Sequence, residues 1–378
     1  MKLDRTIHRF PACLVTALAA LALLIGCSRS LTVTRINSAE DEPNNVWVFF
    51  TVERGDEPVG GLEASDFEIY EDGQRVSEFE SQQRILNPEV AAVMYTLLLV
   101  DVSGSITDSG SVDDLVDAAE QFTERVGKTQ KVGVYSFDGS EKIQPVVPFT
   151  ETEGALKGGL EGLRSYRPKD PSTNLHGAVV QALAELQKGL AKEQKPLKFG
   201  TLVVFSDGAD RAARVSREEM NEALRSDEYE RFDRFAIGVG DEKELQEARL
   251  EDIGRDGTVE GHDRSKVKES FEQIAERIEA HSKRFYLLSY CTPARAGVHE
   301  VEIRVETDEP RGRGKLGYEF DASGFGPPPD CDPERAPTFD MDEVEPAPAA
   351  ERGDSKVRGS ARSGGTGGAA AKAGASAR

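Results

Sequence analysis

The chain has 378 residues and a formal net charge of −21, long enough to bury a sizeable core and more than one average domain requires. Acid in such excess repels phosphate backbones and anionic headgroups, so nucleic acid is excluded as a natural partner. The charge says nothing about the fold.

At the N-terminus, Lys2, Arg5 and Arg9 precede a run without charge from Pro11 to Gly26. That run is short for a membrane span, which needs about 20 apolar residues, and suits a signal-peptide core. It closes on Leu24-Ile25-Gly26-Cys27, which resembles the lipobox of bacterial lipoproteins, where the cysteine is lipidated and becomes the first mature residue. The resemblance implies a lipoprotein signal peptide over residues 1–26 and a lipid on Cys27. The chain is then exported and anchored in the bacterial envelope, so a membrane is one partner. Ser28 is not the aspartate associated with inner-membrane retention, which favours the outer membrane. The alternatives are an uncleaved anchor or an ordinary secretory signal with a chance cysteine. With Cys13 in the discarded segment and Cys27 lipidated, Cys291 and Cys331 remain. In an oxidising compartment they are a disulfide candidate, or else two unrelated thiols.

Residues 31–90 read as strands. Val46-Trp47-Val48-Phe49-Phe50-Thr51-Val52 is rich in β-formers, and Phe67-Glu68-Ile69-Tyr70 alternates before the Asp72-Gly73 turn signal. From 93 to 282 strands alternate with helices. Val93 to Val100 is a nearly continuous apolar run, as a central strand covered on both faces requires. Val132–Phe137, Thr201–Phe205 and Phe235–Val239 follow as further strands. Between them Leu115, Val116, Ala119, Phe122 and Val126 share one helical face, Leu175–Leu186 repeats the pattern, and Val267, Phe271, Ile274 and Ile278 mark a last amphipathic helix. Repeated βα units predict an α/β fold with a doubly wound, mostly parallel sheet. Residues 283–322 return to strands, Phe285–Tyr290 and Val298–Val305, expected to pair with the early β segment. The α/β domain would then be inserted into a small β domain built from both flanks. From Gly326 to Arg378 the composition falls to Pro, acid, Gly, Ala and Ser, which predicts a disordered tail.

The chemistry concentrates at the ends of strands. Asp101-Val102-Ser103-Gly104-Ser105 follows the first α/β strand, where ligands bind in open α/β sheets. Alternate positions through a Gly-containing turn can converge one carboxylate and two hydroxyls. Thr173, in the loop Pro171-Ser172-Thr173-Asn174, and Asp207, directly after another apolar strand, extend the set at the same sheet edge. These are hard oxygen donors, suited to Mg²⁺ and poor for zinc.

The order Asp101-x-Ser103-x-Ser105, Thr173, Asp207 resembles the metal-ion-dependent adhesion site of von Willebrand factor A domains, over about residues 93–282. The resemblance implies that these five residues hold Mg²⁺, or Mn²⁺ or Ca²⁺, directly or through water. It also implies that an Asp or Glu of a protein partner completes the coordination. Ser172 and Ser206 stand where glycine and threonine are frequent, and neither change removes a ligand. Gly61–Gly73 and Tyr286–Tyr290 look like a bacterial exported subfamily in which short β segments bracket the A domain. The implied function is metal-dependent protein binding, in adhesion or assembly, and not catalysis. The alternative is a structural envelope-assembly protein whose metal site is idle or only stabilising.

Other readings are weaker. Asp101 could cap a helix, with Ser103 and Ser105 as turn residues. No Gly-x-Ser-x-Gly elbow occurs, and Gly312-Arg313-Gly314-Lys315 lacks phosphate-loop spacing. His176 is expected at the surface or behind the site, while Asp108 and Asp138 are expected to be solvated loop acids.

Overall fold

The computed structural model describes residues 30–55, 57–309, 311–326 and 331–339. The signal segment with Cys13 and Cys27, and the chain beyond Phe339, lie outside the described residues. Among those described, no helix is long and apolar enough to cross a membrane.

The chain begins with β1 (Thr32–Asp41), β2 (Asn45–Arg54), β3 (Glu57–Pro58), β4 (Phe67–Glu71), β5 (Gln74–Arg75), the single turn α1 (Glu78–Ser81) and β6 (Arg84–Leu86). The α/β portion opens with β7 (Ala92–Asp101), α2 (Gly104–Thr107), α3 (Val112–Val126), β8 (Lys131–Phe137), β9 (Gln144–Thr150), α4 (Glu153–Glu161) and α5 (Leu175–Leu190). It continues with β10 (Leu197–Ser206), α6 (Arg217–Leu224), β11 (Asp233–Val239), α7 (Glu242–Ala248), β12 (Gly257–Gly261) and α8 (Val267–Ser282). The described chain closes with β13 (Phe285–Cys291), β14 (Val298–Asp308) and β15 (Arg311–Asp321).

The central sheet has six strands in the order β12-β11-β10-β7-β8-β9, parallel except for the edge strand β9. β7 is buried on both faces, which explains its unbroken apolar sequence. Leu98 and Val100 pack with Phe122, Phe271 and Ile274 from α3 and α8. Leu97 and Leu99 pack with Val179, Leu183 and Leu186 of α5. The chain runs from β7 to β8 on one side and later crosses to β10 on the other. The strand order therefore reverses between β7 and β10, and the crevice there is where such sheets bind ligands.

The flanks come together as expected. β13 pairs antiparallel with both β2 and β6, and β14 pairs antiparallel with β4, so early and late strands share two sheets. One face of β2 (Val46, Val48, Phe50, Val52) packs with Phe67, Ile69, Val301 and Ile303 of the other sheet. The opposite face, Trp47 and Phe49, packs with Ala92 and Leu197 at the starts of β7 and β10. β2 is thus covered on both sides.

The expectation of a disordered stretch from Gly326 is corrected for residues 331–339. Cys331 is disulfide-bonded to Cys291, with Cα atoms 6.0 Å apart. Asn45 Nδ2 donates to Asp332 O at 2.6 Å, and Trp47 Nε1 donates to Arg335 O at 2.9 Å. The Arg335 guanidinium lies over the Trp47 ring and pairs with Asp41, and Phe339 is buried against Phe49. A polar, Pro-rich composition gives no sign of these contacts, because the apolar surface they use belongs to β2.

Candidate functional site

Asp101 is the last residue of β7, and β10 ends one residue before Asp207. Because the two strands are parallel neighbours in register (Val100 beside Phe205), both carboxylates emerge at one point of the sheet edge. Asp101, Ser103, Thr173, Ser206 and Asp207 are all buried, while Ser105 is exposed at the mouth.

Hydrogen bonds join four of the five expected residues. Ser103 N–H donates to Asp101 Oδ1 at 2.9 Å, the hydroxyls of Ser103 and Ser105 lie 3.2 Å apart, and Ser105 Oγ donates to Asp207 Oδ1 at 2.8 Å. Ser103 occupies the cap position of α2, yet its hydroxyl makes no capping bond and faces Ser105 instead. Thr173 is brought in through its backbone. Its carbonyl accepts from the N–H groups of Arg211 and Ala212 at 2.8 and 2.9 Å, and Pro171 O accepts from Gly104 N–H at 2.9 Å. The 171–173 loop is therefore strapped to both Asp-bearing loops. Gly104 lets the two loops approach closely, since a Cβ would lie 3.0 Å from the Pro171 side chain and 3.1 Å from its carbonyl oxygen.

Burial, first, and the Asp207 carboxylate, second, push the Asp101 carboxyl above its ordinary value. Ser206, noticed in the sequence only as a replacement for threonine, opposes this by donating to Asp101 Oδ2 at 2.8 Å.

Asp138 is not a solvated loop acid. It is buried after β8, and its carboxylate accepts from Ser140 N–H, Lys169 N–H and the Tyr166 hydroxyl at 2.8, 2.8 and 3.1 Å. Burial alone would raise its carboxyl, but these bonds together hold it below the ordinary value. Asp108 is exposed. His176 is buried at the start of α5 with Nδ1 3.1 Å from Val215 O, so it organises the loop after β10. The bonds that tie Asp138 to Tyr166 and Lys169, and Ser206 to Asp101, cross between loops distant in sequence and leave no local motif.

Among the described residues no group of three or more His, Cys, Asp and Glu side chains gathers as metal ligands. The gathered donors are two carboxylates with hydroxyls, the composition of a hard-cation site.

Residues 96–209 match the family model described as the von Willebrand factor type A domain, a stretch that begins within β7 and includes all five candidate residues. No curated protein matches the chain. Similar solved structures include proximal thread matrix protein 1 from the mussel byssus (18% identity, TM-score 0.40), matched over 49% of this chain and 48% of that one. The match thus spans about half the length of the mussel protein. A von Willebrand factor type A protein from Catenulispora acidiphila is 11% identical (TM-score 0.38), over 78% of this chain and 72% of that one. The ArnB paralog VWA2 from Sulfolobus acidocaldarius is 14% identical (TM-score 0.37), over 77% and 73%.

Proposed function

With a von Willebrand factor type A match over residues 96–209 as premise, we propose that the chain is a metal-dependent protein-binding lipoprotein of the bacterial envelope. The observation that carries this reading is the pair Asp101 and Asp207 at the strand-order reversal, linked through Ser103 and Ser105. A carboxylate raised by burial and then by its neighbour is short of positive charge, and the surrounding donors are all hard oxygens. These residues fit Mg²⁺, Mn²⁺ or Ca²⁺. Asp101, Ser103, Ser105, Thr173 and Asp207 would hold the ion. Once bound, a divalent ion balanced by two carboxylates supplies an electrophilic position for an Asp or Glu of a partner protein. Ser105, exposed at the mouth, sits where that partner approaches. The lipid on Cys27 would keep the site at the envelope, because several acyl chains hold far more firmly than one.

Titration calorimetry of Mg²⁺ and Mn²⁺ tests the site. Wild type is expected to bind and Asp101→Ala to lose binding; equal heats from the two would remove the metal claim. The alternative reading is a structural envelope-assembly protein whose metal site is idle or only stabilising. Capture of a partner from envelope extracts that survives chelation would select that reading.

A further inference from the structure

Three loops meet at this sheet edge, and one side chain belongs to the third while touching the other two. Arg214 lies in the loop after β10. Its Nε donates to Gly139 O, in the loop after β8, at 2.6 Å, and its Nη2 donates to Asp170 Oδ2 at 3.0 Å. Asp170 Oδ1 in turn accepts from the N–H and the hydroxyl of Ser172, at 3.1 and 2.7 Å. Gly139 N–H closes the ring by donating to Asp170 O at 2.9 Å. Ser172 directly precedes Thr173. The loop that presents Arg214 is itself fixed to the start of α5. Asp210 accepts from His176 N–H at 2.9 Å and from Ala213 N–H at 2.7 Å, and Val215 O lies 3.1 Å from His176 Nδ1.

We propose that Arg214 is a positioning residue for the metal site, acting through Asp170 and Ser172 to set Thr173 against the loops of Asp101 and Asp207. The inference rests on the metal-site reading above. A planar guanidinium spans two acceptors on two loops, which a lysine ammonium does not reproduce. The Arg214–Asp170 pair is 41% and 34% exposed, so as a surface ion pair it adds little to global stability. Its consequence is local. Residues behind metal ligands typically tune affinity by about 10–100-fold.

The sign separates positioning from electrostatics. Removing a positive charge near a divalent-ion site tightens binding if charge alone matters, whereas loss of positioning weakens it. Mn²⁺ is titrated into the purified chain and the free ion read by electron paramagnetic resonance, with thermal melts of each metal-free variant alongside. Arg214→Ala and Asp170→Ala are each expected to weaken binding about ten-fold with the melting temperature held. The double variant should weaken it by about the same factor, since both act through one chain of contacts, and Arg214→Lys should fall between. Unchanged or tighter binding in Arg214→Ala, or a multiplicative double variant, overturns the inference. If Arg214→Ala does not fold, Arg214→Gln, which removes the same charge, carries the same reading. Loss in Asp101→Ala with full retention in Arg214→Ala overturns the positioning role alone. A wild type that binds no Mn²⁺ overturns the metal reading, and this inference with it.

Discussion

At the scale of single residues, close approach is the main constraint around the site. A Cβ on Gly139 would lie 2.0 Å from Ser172 Oγ and 2.5 Å from the Asp170 carboxyl carbon. Gly139→Ala must therefore displace the Ser172 and Asp170 side chains, just before Thr173. It is expected to cost about 1–3 kcal/mol and to weaken Mn²⁺ binding, measured by chemical denaturation and by titration. Asp101, Ser103 and Ser105 were legible in the sequence because they sit two apart after an apolar strand. Ser206, Asp138 and Arg214 were not, because each acts on a loop distant in sequence. A second residue-scale case is His299, far from the site. Its Nδ1 lies 2.7 Å from Asp72 Oδ2 and its Nε2 3.0 Å from Ala296 O. Two acceptors suit an imidazolium with two N–H donors, and the Asp72 bond, foremost, raises the ring above its ordinary value. The stability this contributes is complete below the unfolded value of about 6.5 and is lost as pH rises through the folded one. Asp72→Asn should lower the His299 titration midpoint, followed by NMR of the ring protons; a midpoint that does not move would contradict this account.

At the scale of elements, the βα units were readable from apolar periodicity, and the misses have physical causes. β9 carries Pro145 and Pro148, which suppress a strand signal and are tolerated because the strand lies at the sheet edge. β15 carries Gly312, Gly314 and Gly317, and it is held by its full pairing with β14 rather than by its own propensity. The segment 331–339 has Phe339 as its one large apolar side chain, and the disulfide, Asn45, Trp47 and the burial of Phe339 hold it. Trp47 is the only tryptophan of the chain, and it is buried beneath this segment. Cys331→Ser should therefore shift Trp47 emission to the red and raise its quenching by acrylamide. Opening a cross-link between residues 40 apart should cost roughly 4 kcal/mol. Unaltered emission after confirmed loss of the bond would show that the segment is held without it.

At the scale of the molecule, an α/β unit has been set into a β sandwich, and the apolar contact between them is built from Phe49, Phe199 and Phe285. The insertion was expected from the two strand-rich flanks together with their likeness to a subfamily in which β segments bracket the A domain. That β2 would be covered on both faces was hidden, because seven unbroken β-formers do not reveal what lies on either side. The two chain crossings into and out of the α/β unit leave from one place. Leu86, at the end of β6, pairs with Leu287, near the start of β13. A partner tugging on the rim would thus draw β6 and β13 lengthwise from the same end. β13 is bonded to β2 at every position from Phe285–Thr51 to Cys291–Asn45, and the cystine lies at the far end of that ladder. A chain held at Cys27, as proposed, would take the opposing force at Thr32, which pairs with Glu53 at that same end, so tension would open the sheet from there towards the cystine, which clamps the opposite end.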